Sequence, residues 1–304
     1  MNSEFCFEIK ELEEILYILE GVSDNMFASP NVSVGKRGAY ILSGESIISA
    51  GNTLKTIDFC CQRGFFSDAF TLARKYRDDV LQYIFVSSII KNMHGLSQEE
   101  LEEYFEEEIN EKVLVEVLKK EFEILCSDER KNSAEMAIEL WMYGDLDKKE
   151  HSRERGKYFD ASKYIKNLSE NKLVREMFEN YLKDIWYETD RILNNYVHSN
   201  GRRFVLDNYA YGMGYQDQKV KLVSVVQNIT SIFLALMSIT EPTKLQSSDY
   251  QDAIESGMVP KSECQYYVMP NVVEYMDKHF SKELLNFIEV QNEYKMKFLL
   301  EDYL

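Results

Sequence analysis

Residues 172–201 read KLVREMFENYLKDIWYETDRILNNYVHSNG, and this stretch carries the clearest helical pattern in the chain. Apolar side chains recur every three or four residues, which is the spacing of one face of an α-helix. The predicted apolar stripe consists of Leu173, Met177, Tyr181, Ile185, Ile192 and Tyr196, flanked by Trp186, Leu193 and Val197. We therefore predict one long amphipathic helix over 172–198, which ends before Gly201.

The rest of the chain predicts further helices around this one. Its 304 residues include only 4 Pro and 13 Gly, so long stretches contain no helix breaker. Further helices are predicted over 5–21, 39–62, 67–93, 97–124, 128–143, 160–168, 217–240 and within 272–303, with a loop at 24–38 and a strand signal at 265–269. The expected fold class is all-α, a multi-helix bundle. We expect a single large helical domain, 1–304, with a candidate division into 1–145 and 146–304.

Three further features bear on where the protein is found. The stretch 220–239 is apolar, but it contains Lys221, Gln227 and Asn228, so we expect a core helix and not a membrane span. The first residues show no basic region followed by an apolar export segment. The five Cys are an odd number without metal-ligand spacing, which is typical of reduced core thiols. These features predict a cytoplasmic protein that does not interact with a membrane.

The charge of the chain is unevenly distributed. The net charge is −17, and residues 97–124 contain eleven Glu against three Lys. Residues 148–203 contain thirteen Lys or Arg against nine acidic residues. The overall negative charge argues against a general nucleic-acid coat, because phosphates would be repelled. The basic strip could still admit a nucleic-acid strand locally, although a charge run is commonly just a solvated helix face.

Arg191 and His198 are the candidate catalytic residues. Their positions differ by seven, which places both side chains on one helix face about two turns apart. Arg is a fixed positive charge suited to phosphate, and His exchanges a proton near neutral pH. The structural alternative is that Arg191 pairs with Glu188, three residues before it, and that His198 is held by the negative end of the helix dipole.

The Arg191–His198 segment resembles the signature of the HEPN superfamily of helical nucleases and nucleotide-binding domains. Six residues lie between the Arg and the His, and Leu-Asn-Asn-Tyr-Val-His at 193–198 resembles a phrase common in that superfamily. Ile192 stands where active members usually carry a polar residue. The resemblance implies an HEPN-like bundle with additional helices and metal-independent RNA cleavage in which His198 moves the proton and Arg191 stabilises the developing charge. It also implies a homodimer with paired motifs, and a role as a toxin or antiviral, phage-defence effector.

The candidate supporting residues lie beside the motif and in one upstream helix. The side chains that could orient phosphate or His198 are Asn194, Asn195, Tyr196 and Ser199, although Asn or Ser near a helix end is more often a cap. A second polar cluster, Arg74, Arg77 and Asp78, interrupts an apolar helix. It is either an interhelical ion-pair network or a second wall of a phosphate site. The four His are scattered along the chain, so we expect neither a metal nor another cofactor.

Two functions are compatible with these patterns. The first is an HEPN-like endoribonuclease or toxin-type effector that acts on RNA at a dimer cleft. Trp186, Leu193 and Val197, which widen the apolar stripe, are the residues expected to form that homodimer. The alternative is a non-catalytic helical module that binds a basic partner protein through the acidic helix 97–124.

Overall fold

The computed structural model describes most of the helical part of the chain. The described residues are 7–35, 38–93, 96, 111–125, 127, 133–143, 157–197, 201–209, 213–247 and 268–291. His198, Ser199, residues 97–110 and most of the expected strand at 265–269 lie outside them.

The described residues are mostly helical, as the sequence predicts. The helices are α1 (Lys10–Ala28), α2 (Glu45–Gln62), α3 (Phe66–Lys91), α4 (Glu111–Leu125), α5 (Ser133–Tyr143), α6 (Ala161–Leu168), α7 (residues 172–197), α8 (Arg202–Leu206), α9 (Met213–Thr240), α10 (Pro270–His279) and α11 (Lys282–Gln291). Short 3-10 turns follow α8 and α9, at Asp207–Tyr209 and Pro242–Leu245.

Helix α3 is the central element of the fold. It packs against α2, α6, α7, α9 and a β-hairpin. Its buried side chains include Phe66, Tyr76, Val80 and Ile84, which point in different directions around the helix axis. A helix that is apolar on most sides is stable only inside a core, which places α3 in the middle of the bundle.

Helices α2 and α3 pack against each other, and Gly64 forms the turn between them. Gly64 has a φ of 75°, in the left-handed region that favours glycine. The Gly64 amide donates to the Cys61 carbonyl, and the Phe65 amide donates to the Cys60 carbonyl. These two bonds form a Schellman motif, which satisfies the last carbonyl groups of α2 and reverses the chain.

A β-hairpin replaces the loop predicted at 24–38 and the first turn of the helix predicted from 39. Helix α1 continues to Ala28, and the antiparallel strands β1 (Asn31–Gly35) and β2 (Gly38–Leu42) follow it. Tyr40 and Leu42 are buried on the inner face of the hairpin, whereas Val32 and Ile41 form an exposed cross-strand pair on its outer face. Gly35 and Gly38 were interpreted as loop residues, but they are the last cross-strand pair of the hairpin.

A buried carboxylate fixes the hairpin to α3 and to the end of α9. Glu241 is 1% exposed, and its Oε2 lies 2.7 Å from Nζ of Lys91. Ser87 donates a hydrogen bond to Oε1 of the same carboxylate, and Asn31 of β1 donates to it at 3.3 Å. A buried charge needs such partners, so these contacts position the hairpin.

The helix predicted over 172–198 is present, but its buried face differs from the prediction. It begins with Lys172–Met177, continues through a π-helical turn at Phe178–Leu182 and ends with Lys183–Val197. A π-helical turn holds an extra residue, so it rotates the face that follows. The buried stripe is therefore Val174, Met177, Phe178, Leu182, Trp186, Leu193 and Tyr196. Tyr181, Ile185 and Ile192 are only partly buried.

Helix α9 is the apolar helix that raised the question of a membrane span. By length and composition, residues 214–240 are sufficient to cross a bilayer, but 78% of the tested 18-residue window is buried inside the protein. It packs against α1, α3, α7, α10 and α11. Its apolar surface is therefore buried against the other helices of the core.

At the junction between β2 and α2, Gly44 lies directly against α1. A Cβ atom on Gly44 would lie 2.7 Å from a ring carbon of Phe27 and 2.8 Å from the Ser23 carbonyl oxygen. Gly44→Ala should therefore lower the free energy of unfolding by about 1–3 kcal/mol, measured by urea denaturation. Gly214→Ala is the matched control, because no atom lies within 4 Å of the added Cβ. Equal stability of the two variants would contradict close packing at this junction.

Candidate site at the α3–α7 seam

Arg77 joins helix α3 to helix α7. Its side chain is buried, and Nη1 donates to Oδ1 of Asp190 at 2.6 Å. Nε and Nη2 both donate to Oδ1 of Asp78, at 2.9 and 2.8 Å. The guanidinium carbon lies 5.5 Å from the ring centre of Trp186, within the range of a cation–π contact. Arg77 therefore forms an interhelical ion-pair network. This is one of the two interpretations that the sequence allowed for the cluster, the other being a second wall of a phosphate site.

The packing register brings the two predicted polar clusters next to each other. Phe70 of α3 stacks on Tyr196 of α7, with ring centres 4.1 Å apart, and Arg77 contacts Asp190. The two helices therefore run antiparallel, with residues 70–77 of α3 alongside residues 190–196 of α7. Arg74 lies between Phe70 and Arg77 in the chain, so it is level with the middle of the motif segment.

Arg191 is exposed on α7, directly after Asp190. Within the described part of the chain it makes no hydrogen bond or ion pair, so the pair with Glu188 expected on the structural alternative is not formed. The Arg77–Asp190 bond fixes the backbone position from which Arg191 projects. An exposed guanidinium without a carboxylate partner is suited to bind an anion. The other motif residue, His198, lies outside the described residues, as does Ser199.

The predicted helpers of the motif differ in their environments. Asn194 donates to Oδ2 of Asp190 at 2.8 Å, so it supports the carboxylate that Arg77 binds. Asn195 is half-buried. Tyr196 is 2% exposed, and its hydroxyl donates to Oδ2 of Asp207 at 2.8 Å. Asn194 and Tyr196 are therefore positioning residues, which hold α7 against its neighbours.

Tyr196 is also the centre of an aromatic and cationic cluster that the sequence analysis missed. Lys221 of α9 donates to the Tyr196 hydroxyl at 3.3 Å, and its Nζ lies 5.2 Å from the Tyr196 ring centre. The same Nζ lies 5.3 Å from the ring centre of Phe70. The cluster joins α3, α7 and α9 at the C-terminal end of α7. The only sequence signal for it was a lysine within the apolar stretch 220–239, which needs a polar or aromatic partner inside a core.

Arg74 is less completely paired than Arg77. Its Nε lies 3.9 Å from Oδ2 of Asp78, and its buried Nη1 has no hydrogen-bond partner in the described part of the chain. Partial burial raises the pKa of the Asp78 carboxyl, while the adjacent Arg77 and Arg74 guanidinium groups act in the opposite direction. The Arg74–Asp78 pair is thus present but long, and the Arg74 guanidinium retains an unused donor.

Two of the three side chains that were predicted to form a dimer surface are buried in the core of the protein. Trp186 is 5% exposed and Leu193 is fully buried, and both belong to the hydrophobic core. The π-helical turn causes this difference, because it rotates the face of α7 that follows it toward α3. The side chain of Val197, the third residue, lies outside the description. Trp186 and Leu193 therefore provide no surface for a second copy.

No protein-family model, curated protein or solved structure matches the chain. In the residues that the structure describes, no group of three or more His, Cys, Asp or Glu side chains could hold a metal ion. Cys60 and Cys61 are free and buried, and burial raises the pKa of both thiols. The site is therefore defined by its own geometry: a partly buried Arg77–Asp190 bond, the exposed Arg191 that follows Asp190, and the incompletely paired Arg74 on α3.

Removal of the Arg77 side chain tests its structural role. Arg77→Ala should lower the free energy of unfolding by about 2–3 kcal/mol, because it removes the cation that pairs with the partly buried Asp190 and the contact with Trp186. Arg74→Ala, one turn away, should cost about 1 kcal/mol or less, because its contact with Asp78 is long and partly exposed. Chemical denaturation monitored by circular dichroism measures both values. Similar stability of the two variants would show that Arg77 does not fix the interface.

Proposed function

We propose that this protein is a metal-independent endoribonuclease in which Arg191 and His198 act together. The observation that carries the proposal is the exposed Arg191 guanidinium, which has no carboxylate partner among the described residues and follows the fixed Asp190. A cation held in this way can bind a phosphate without first breaking an ion pair. The HEPN-like spacing of Arg191 and His198 supports the choice of RNA as the substrate.

The proposed reaction is an intramolecular transfer of the RNA phosphate. The 2′-oxygen attacks the adjacent phosphorus, the bond from phosphorus to the 5′-oxygen breaks, and the products are a cyclic phosphate and a free 5′-hydroxyl. The proton leaves the 2′-hydroxyl and reaches the departing 5′-oxygen, and we assign its transfer to the imidazole of His198. Arg191 would stabilise the negative charge that grows on the phosphate oxygens in the transition state.

Ile192, where related motifs carry a polar residue, is consistent with its surroundings. It is partly buried and packs against the hydrophobic core, so an apolar side chain contributes to the attachment of α7.

The proposal also includes the cellular role of the protein and its assembly. A ribonuclease of this kind would act in the cytoplasm as a toxin-type effector, in line with the antiviral role that the HEPN resemblance implies. We propose that it works as a homodimer with two motifs at a shared cleft, because a second Arg–His pair would supply both a proton acceptor and a proton donor. The surface for this dimer must lie outside Trp186 and Leu193, which the chain buries itself.

The second candidate function is a helical module that binds a partner protein. The observation that favours it is an exposed apolar stripe on α4, formed by Leu114, Val115, Leu118 and Phe122. The described residues 111–125, which include the end of the predicted acidic helix, contain four Glu and three Lys, so their net charge is only −1 and the apolar stripe is the more distinctive feature. An exposed stripe of this kind is typical of a protein-binding surface.

Substitution of the two motif residues tests the proposed reaction. Arg191→Ala and His198→Ala should each abolish cleavage of a single-stranded RNA by the purified protein, with helicity and melting temperature nearly unchanged. Arg175→Ala is the matched control, since Arg175 is an exposed arginine on the same helix and should not affect cleavage. Cleavage that persists in both motif variants would contradict the proposal.

Expression in bacterial cells separates the two candidate functions. Growth arrest by the wild type but not by His198→Ala favours the ribonuclease, because only the nuclease requires the imidazole. Tolerance of both proteins, together with loss of a co-purified partner in Leu118→Glu, favours the binding module. Light scattering that reports a monomer at micromolar concentration would count against the proposed dimer.

A further inference from the structure

A second site lies on the opposite side of α3 from the Arg77–Asp190 bond. It is a cleft of about 610 Å³ between β2, the first turns of α2, the middle of α3 and the end of α5. We call it the hairpin cleft, since β2 forms one of its walls. Its volume is in the range of cavities that hold a small organic molecule.

One part of the hairpin cleft is apolar and aromatic. Trp141 and Tyr143 from α5 line it together with Ile41 of β2. The Trp141 ring stacks on Phe159 with ring centres 5.9 Å apart, and the Tyr143 hydroxyl donates to the Ala39 carbonyl at 2.5 Å. These contacts hold both rings in place, so the wall is preformed.

The polar part of the cleft offers mainly hydrogen-bond acceptors. Asp79 accepts bonds from Ser49 and Lys75 at Oδ2, and Oδ1 is unused among the described residues. Glu45 accepts a bond from Ser43 at Oε2, which leaves Oε1. Gln82 donates its amide to the Tyr164 hydroxyl at 3.3 Å, which leaves its carbonyl oxygen. A ligand that satisfies these oxygens must therefore bring donors.

The hydroxyl of Ser46 is a further unsatisfied group at this site. Ser46 lines the cleft, and its Oγ is buried without a hydrogen-bond partner in the described part of the chain. A buried hydroxyl in this state is destabilising unless it finds a partner. Rotation about the Cα–Cβ bond would bring it to a ligand group in the cleft.

The charge of the lining selects between ligand classes. Glu45 and Asp79 are the charged residues that line the cleft, and both are acidic. Lys75 lies beside Asp79 and balances only part of this charge. An anion would be repelled, whereas an ammonium group would pair with the carboxylates and could contact the faces of the aromatic rings.

We propose that the hairpin cleft binds a small organic amine, with its ammonium group toward Glu45 and Asp79 and its apolar body against Trp141 and Tyr143. This site is separate from the Arg191 motif and does not depend on the ribonuclease proposal.

Calorimetric titration of the full-length protein tests this site with phenethylammonium as the probe and phenethyl alcohol as its neutral counterpart. The ammonium should bind saturably, and the alcohol should bind at least about tenfold more weakly, because it cannot pair with a carboxylate. Glu45→Gln and Asp79→Asn should each weaken ammonium binding by about tenfold. Glu20→Gln is the matched control, as Glu20 is exposed on α1 and does not line this cleft.

Circular dichroism first establishes that each variant is folded. If Asp79→Asn does not fold because it loses the pair with Lys75, Glu45→Gln alone tests the role of the carboxylates. Equal affinity for the ammonium and the alcohol would overturn the proposal. So would the absence of saturable binding at millimolar concentration, or an equal affinity of Glu45→Gln and Glu20→Gln for the ammonium.

Discussion

The bond between Arg77 and Asp190 is the interaction on which the geometry of the candidate site depends. Arg77 lies inside the central helix, where an unpaired guanidinium would be strongly unfavourable. Asp78 of the same helix accepts bonds from Nε and Nη2, and Asp190 of α7 satisfies the remaining Nη1. This requirement fixes the register of α7 against α3, and Asn194 strengthens it by its own bond to Asp190. The exposed Arg191 follows in the chain, so its position is a consequence of a buried ion pair.

A local cation is consistent with the negative charge of the whole protein. With a net charge of −17, the surface repels a polyanion in general. Arg191 is an exposed cation that makes no ion pair with a described residue. In the ribonuclease that we propose, RNA would be admitted at Arg191 and repelled elsewhere. The hairpin cleft, on the other side of α3, has the opposite character, because its charged lining residues are both carboxylates.

The sequence predicted the helical class and the main helices, because their apolar spacing and cap residues are local signals. Asp160 caps α6 and Asn171 caps α7 through bonds to backbone amides, and such caps depend on a few adjacent residues. The hairpin at 31–42 was missed because four apolar residues of β2 continue into α2 without a clear change in pattern. The π-helical turn at Phe178–Leu182 was missed because a 3.6-residue period assumes a regular helix. That turn also explains why Trp186 and Leu193 were wrongly assigned to a dimer surface.

The individual residues of the candidate site could be predicted from the sequence, but the contacts between them could not. Arg77 needed a partner because it interrupts an apolar helix, and the sequence indicated that need. The identity of the partner, Asp190, depends on how two helices more than one hundred residues apart in the chain pack, which no local pattern encodes. The partial pairing of Arg74 and the cluster around Lys221 have the same origin.

A double-mutant cycle on Arg77→Met and Asp190→Asn measures the central interaction directly. The free energy of unfolding is determined for the wild type, both single variants and the double variant. The two substitutions should be coupled by about 1–2 kcal/mol, because they remove the two groups of one hydrogen-bonded ion pair. Additive effects, within about 0.5 kcal/mol, would contradict a register of α7 fixed by Arg77 and Asp190.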